Sequence, residues 1–152
     1  MKKNGVLCAV DVNDYDPGVL KLAAQFALHY KVDLDVVHVS VFPDPGTAAW
    51  PAYVGSSSVI TEDNAKLREL VARIEEVAAH PHHLSGTPTE QLIDFVERNE
   101  PRLLVIGTHG RKGMQRIFGS VASKVLRNVN CPVLVLRQKQ PSRSQLDSAS
   151  TN

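Results

Sequence analysis

Cysteine is scarce in this chain, two of 152 residues, and the pair stands far apart. Cys8 lies inside an apolar run and Cys131 precedes Pro132, so neither a C-x-x-C metal or redox pair nor a disulfide framework can be read; both suit small buried positions in a reducing compartment. An excess of charge of one sign is missing too. The 17 Lys and Arg nearly cancel 16 Asp and Glu, leaving +1, which gives no global field toward nucleic acid or an anionic membrane. No apolar segment approaches membrane-spanning length, and Asp11, Asn13, Asp14 and Asp16 interrupt the sequence before any signal-peptide core can form behind Met1-Lys2-Lys3. A cytoplasmic protein without nucleic-acid or membrane partners is expected. Two phosphate signatures are also absent: there is no G-x-x-x-x-G-K-[ST] loop and no G-x-G of a dinucleotide fingerprint.

What is present is alternation. At this length, with 43% hydrophobic residues, one ordinary core is expected. Gly5 to Val10 is a continuous apolar run ended by Asp11, as in a strand covered on both faces. Asp16-Pro17 starts a helix with Val19, Leu22, Ala23, Phe26, Ala27 and Tyr30 on one face. Leu34 to Val41 reads as a second strand. Residues 42–61 hold three prolines and two glycines and predict a long loop, with Trp50 and Tyr53 as core filling or as a lid. Thr61 is then expected to cap a helix with apolar face Leu67, Leu70, Val71, Ile74, Val77 and Ala78. A short strand follows around His82 to Gly86, and His80, His82 and His83 are read as a solvated helix-to-strand turn, since no cysteine or carboxylate stands at metal-ligand spacing. His38 reads as a satisfied, partly buried histidine. Thr87-Pro88-Thr89-Glu90 has the form of a capping box before a helix burying Leu92, Phe95 and Val96. Arg102 to Gly107 is the fourth strand, Val121, Val125, Leu126 and Val129 stripe the next helix, and Pro132 to Arg137 is the fifth strand. Residues 1–137 thus form one α/β domain with a parallel sheet and helices on both faces. Residues 138–152, almost without apolar side chains, are expected to be a disordered tail.

In such a sheet, ligands bind beyond the carboxyl ends of the strands, where strand order reverses. If strands one and four are neighbours, Asp11, the end of strand two near Val39, and the loop from Gly107 to Ser120 surround one crevice. There Asp11 accepts hydrogen bonds from sugar or base, Gly107 and Gly110 admit the sugar-phosphate, and the N–H groups of Gly119, Ser120 and Val121 meet phosphate at a helix start. The plain alternatives are a turn-forming Asp11 and loop glycines that permit positive φ. His109 could cover the ligand, and Arg111, Lys112 and Arg116 are either a solvated face or a steering patch.

The Val10-Asp11 strand end, Val37-His38-Val39, Gly86-Thr87-Pro88, Val105-Ile106-Gly107-Thr108-His109-Gly110-Arg111, Gly119-Ser120-Val121 and Cys131-Pro132-Val133-Leu134-Val135 together resemble the universal stress protein family. The resemblance covers residues 5 to 137 and points to the ATP-binding branch, whose mark is G-x2-G-x9-G-[ST]. Eight residues, 111–118, stand here where that pattern has nine. The resemblance implies a five-stranded, doubly wound, Rossmann-like sheet of the adenine-nucleotide α-hydrolase kind, with strand order 3-2-1-4-5. It implies adenine and ribose contacts from Asp11 and Val39, backbone alone from Ala9 and Val10, sugar-phosphate contacts from Gly107 and Gly110, and phosphate contacts from Gly119, Ser120 and Val121. ATP, with Mg2+ or Mn2+ held by its phosphates, is the implied ligand. No protein metal ligands and no catalytic residues are assigned: a general base, a metal carboxylate cluster and a nucleophile elbow are missing from the strand ends, so any ATP hydrolysis is slow. A homodimer through the last strand is implied, because Val133 to Leu136 otherwise leave an apolar edge exposed. The resulting expectation is stress-response sensing or signalling through nucleotide-dependent interactions. The alternative is a homodimeric interaction module whose shortened loop no longer binds nucleotide.

Overall fold

The structure is a computed structural model and describes residues 4–41, 57–108 and 120–137, with the side chains of residues 57 and 58 left aside. Elements run β1 (Val6–Ala9), α1 (Pro17–Tyr30), β2 (Leu34–Ser40), α2 (Ser57–Ala72), β3 (Ala79–Ser85), α3 (Pro88–Asn99), β4 (Leu103–Gly107), α4 (Ser120–Asn128) and β5 (Val133–Leu136). All pairings are parallel, and the five strands lie in the order β3-β2-β1-β4-β5, as expected. Continuous apolar runs become central strands because both faces are covered. Val6, Leu7, Cys8, Leu104 and Val105 have no exposure at all.

Alternation along the strands divides the core. On one face Val6, Cys8, Leu34, Val36 and Val105 pack against α1 and α2 through Val19, Ala23, Ala27, Leu67 and Leu70. On the other, Leu7, Val37, Val39 and Leu104 meet Leu92, Phe95 and Val96 of α3 with Ala122 and Val125 of α4.

Local chemistry sets the helix ends. Asp16 caps α1, its Oδ1 accepting from the Gly18 N–H at 2.8 Å, and Pro17 takes the first helical position. Lys31 ends that helix in the left-handed region, its N–H bonded back to Ala27 and Leu28 carbonyls. Thr87 holds the N-cap position of α3, yet its side chain makes no capping bond there.

Several expectations change. The second helix starts at Ser57, so Thr61 lies inside it rather than at its start, and residues 57–61 are not loop. It ends at Ala72, placing Ile74, Val77 and Ala78 in the connection to β3. On α1, Leu20 and Ala24 are buried with Val19, Ala23 and Ala27, whereas Leu22, Phe26 and Tyr30 are only partly so. Leu126 is 46% exposed; Ala122 takes the inward position on α4. Val41 lies beyond the end of β2. The third strand is longer than expected, and His80, His82 and His83 lie within it rather than in a turn. Pro81 and three histidines disguise it, and an edge position tolerates the proline. The loop over residues 42–56, Trp50, Tyr53, and residues 138–152 lie outside the described residues.

Candidate functional site

The chain leaves β1, builds α1 and β2 on one side, and later places β4 on the other side of β1. Strand order therefore reverses between β1 and β4, and their carboxyl ends flank the crevice that such a reversal creates. Ala9 is in register with Val37 and with Ile106. The Val10 N–H donates to the Val37 carbonyl at 2.9 Å, extending the alignment one residue beyond β1. Ala9, Val10, Asp11, Val39 and Gly107 thus stand at three adjacent strand ends. Ser120 is the first residue of α4, exposed, and Val121 is partly buried against the α3–α4 face. Gly110 and Gly119 lie outside the described residues, as do His109, Arg111, Lys112 and Arg116.

Asp11 is half-buried and makes a local turn, its Oδ1 accepting from the Asn13 N–H at 3.0 Å. Its second carboxylate oxygen is not used in that turn. Gly107 has a packing role: a Cβ there would stand 3.3 Å from Val19 Cγ2, so the bare backbone lets α1 close onto β4 beside the crevice.

A second constellation lies on the α1–α2 face, and the sequence reading does not contain it. His38 and Ser40 of β2 point to that face, His83 is in register with His38, and Asp63 of α2 reaches down to them. Asp63 Oδ2 lies 3.3 Å from His38 Nε2 and accepts from Ser40 Oγ at 2.7 Å. Ser40 Oγ is also 2.8 Å from His83 Nε2. Asp63 Oδ1 accepts from Asn13 Nδ2 at 2.9 Å, and Asn13 Oδ1 accepts from Lys66 Nζ at 2.8 Å. His38, Ser40 and Asp63 are all buried. Burial alone would raise the Asp63 carboxyl, but hydrogen bonds from Ser40, Asn13 and His38, with the His38 charge, outweigh it and hold the group below its ordinary range. Burial pushes the His83 imidazole down, the neighbouring His38 pushes the same way, and Asp63 opposes them.

On the opposite face Asp35 is fully buried, with Oδ1 2.7 Å from His82 Nε2 and Oδ2 without a partner among the described residues. His82 also lies against Phe95, ring centres 5.1 Å apart. His80, the outermost of the three, is exposed beside Asp33. The tract therefore divides between faces, as period-2 geometry requires: His80 and His82 meet the carboxylates of Asp33 and Asp35, and His83, on the other face, meets the Ser40 hydroxyl.

The sequence model of the universal stress protein family matches residues 4–137. Universal stress protein A homolog 1 of Coxiella burnetii is 31% identical, covering 89% of this chain and 96% of its own length. A universal stress protein of Methanocaldococcus jannaschii is 29% identical, over 88% of this chain and 81% of its own. Among solved structures, the universal stress protein UspA from Lactobacillus plantarum superposes with a TM-score of 0.71 at 22% identity, covering 90% of this chain and 99% of that one. The universal stress protein from Archaeoglobus fulgidus in complex with dAMP gives 0.56 at 23%, over 89% and 98%. A universal stress protein in complex with cAMP gives 0.58 at 21%, over 90% and 98%. At these identities the solved structures share the fold.

Proposed function

The chain belongs to the universal stress protein family, and on that premise we propose that it binds an adenine nucleotide, ATP in the first instance, in the crevice between β1 and β4. The observation carrying this reading is the side-by-side placement of Asp11 and Gly107 at the reversal of strand order, with α4 opening at Ser120. Asp11 accepts from ribose or adenine, Val39 lies at the neighbouring strand end, and Ala9 and Val10 offer backbone. Gly107 and Gly110 admit the sugar-phosphate, and the amides of Gly119, Ser120 and Val121 take the phosphates. Relatives of the same fold crystallised with dAMP and cAMP support an adenine ligand. A divalent ion, Mg2+ or Mn2+, travels with the triphosphate and is held by its oxygens and water rather than by a protein cage. Hydrolysis, if measured, is slow.

Nucleotide state is then read out through interactions, in the cytoplasm, by a homodimer formed through β5. Both cysteines are free thiols, which suits that compartment. No helix among the described residues is long and apolar enough to cross a membrane.

Equilibrium dialysis with labelled ATP tests the reading on the wild type and Asp11→Asn. The amide keeps an acceptor for the Asn13 N–H but loses the charge, so affinity should fall about tenfold, one charge-assisted hydrogen bond's worth. A wild-type protein that retains no adenine nucleotide favours the second reading, an interaction module without nucleotide, for which the loop one residue short of the family pattern speaks.

A further inference from the structure

The geometry points to a divalent transition-metal site, of the kind that takes Zn2+, formed by His38 Nε2, His83 Nε2 and Asp63 Oδ2 on the α1–α2 face. It adjoins the nucleotide crevice through the Val10 carbonyl, but none of its three ligands is a residue proposed to hold the nucleotide. The sequence offers no carboxylate near its histidine tract at ligand spacing; the fold supplies Asp63 from α2.

The three donor atoms lie within 4.8 Å of one another. Two imidazoles and one carboxylate are a recurrent three-residue set for zinc, with the fourth position left to water or another oxygen. At a tetrahedral ion with bonds of about 2.0–2.1 Å, two ligands stand about 3.3–3.4 Å apart. His38 Nε2 and Asp63 Oδ2 are separated by 3.3 Å. That is long for an N–H···O bond but fits two ligands of one ion. Ser40 Oγ, 2.7 Å from Asp63 Oδ2 and 2.8 Å from His83 Nε2, stands at hydrogen-bond distance from two of the donors, closer than a fellow ligand would, so the fourth position is left to water.

The surroundings of His38 give an independent reason. Its Nδ1 is 3.1 Å from the Val10 carbonyl, and its Nε2 faces the Asp63 carboxylate. A neutral imidazole has one N–H. Placed on Nε2, it leaves the Nδ1 lone pair against the Val10 oxygen, with only a 3.4 Å contact from the Val12 N–H in compensation. Placed on Nδ1, it satisfies Val10 and turns a bare nitrogen toward a carboxylate inside the protein. A positive charge there removes that conflict, supplied either by a second ring proton, which makes a His38–Asp63 ion pair, or by a metal ion between Nε2 and Oδ2. A histidine donating its other nitrogen to a backbone carbonyl is also the usual support for a metal ligand. Asp63 is supported likewise: Asn13 holds Oδ1, and Lys66 in turn holds Asn13, which directs Oδ2 to the cluster. The ion would fasten α2 to β2 and β3.

Chelator-treated, desalted full-length protein titrated with ZnCl2 by calorimetry, without nucleotide, tests this, alongside His83→Ala, Asp63→Asn and His80→Ala. Circular dichroism checks that each variant is folded. Expected are one Zn2+ per chain for the wild type and for His80→Ala, and affinity weakened by at least about 100-fold in His83→Ala and Asp63→Asn. Co2+ should give a four-coordinate visible spectrum in the wild type. Absence of saturable Zn2+ uptake by the wild type overturns the proposal, leaving a His38–Asp63 ion pair in its place. So does affinity unchanged in either ligand variant, or an equal loss in His80→Ala, which would move the ion to the outer edge of β3.

Discussion

Cys8 shows how far burial alone controls a reactive group. Its thiol, with no exposure in the middle of β1, is pushed up to about 12 by desolvation. An unfolded chain releases that proton near 8.5. Between those values the folded state holds more protons than the unfolded one, so stability is intact below the unfolded value and falls as pH rises through the window. The slope approaches about 1.4 kcal/mol per pH unit for one such group. Urea unfolding from pH 8 to 10 should therefore fall more steeply for wild type than for Cys8→Ala; parallel profiles would show that the thiol is not held protonated. Residues of this kind are legible in sequence, since an apolar run announces burial. The His38–Ser40–Asp63–His83 cluster is not. His38 and Asp63 lie on different elements 25 residues apart, and no spacing rule connects a strand residue to a helix residue that only packing brings above it. The same holds for Gly107: its place at a strand end signals a ligand, while its contact with Val19 is visible only in the fold.

Among the elements, caps and turns separate sequence signals that act from those that only look alike. Asp16 and Thr87 occupy the same position before a helix that begins with proline. Only the Asp16 side chain accepts a backbone N–H of its helix, so Asp16→Ala should cost about 1 kcal/mol in chemical denaturation and Thr87→Ala less than about 0.5 kcal/mol. Equal losses would mean that the Thr87 hydroxyl does cap in solution. Gly86, one residue before Thr87, has φ +132°, a region that side chains rarely adopt. Gly86→Ala should cost about 1–3 kcal/mol, although the added Cβ would meet Gln91 at an ordinary 3.4 Å. A loss this size with room available identifies backbone strain, and a neutral result would show that the turn relaxes. Element order and type were readable because apolar runs and helical spacing alternate cleanly. The start of α2 was not: Thr61 resembles a cap, but helix continues four residues further back, to Ser57. At β3 the expected strand around His82 to Gly86 is found, but its first half is not legible, because Pro81 and the histidines carry little strand signal and pairing with β2 from Ala79 onward extends it.

For the molecule as a whole, the parallel sheet must end somewhere, and β5 is one of its two ends. The Leu104 N–H donates to the Pro132 carbonyl and the Thr108 N–H to the Leu136 carbonyl, so those residues face β4. By alternation, the backbone groups of Val133 and Val135 face away from the sheet. An edge written Val-Leu-Val-Leu, with no charge to blunt it, is a pairing surface, and a second copy meeting it across a two-fold axis would join two five-stranded sheets. That is the physical case for the dimer proposed at β5, and it gives a specific disruption. Val135→Pro removes one outward N–H while leaving the bonds to β4 untouched. Sedimentation should show wild type as a dimer at micromolar concentration and the variant as a monomer with unchanged helical circular dichroism. A wild-type monomer removes the dimer altogether. A Val135→Pro dimer of undiminished stability places the contact on another surface, where the exposed apolar residues Leu28 of α1 and Leu126 of α4 offer the next faces to substitute.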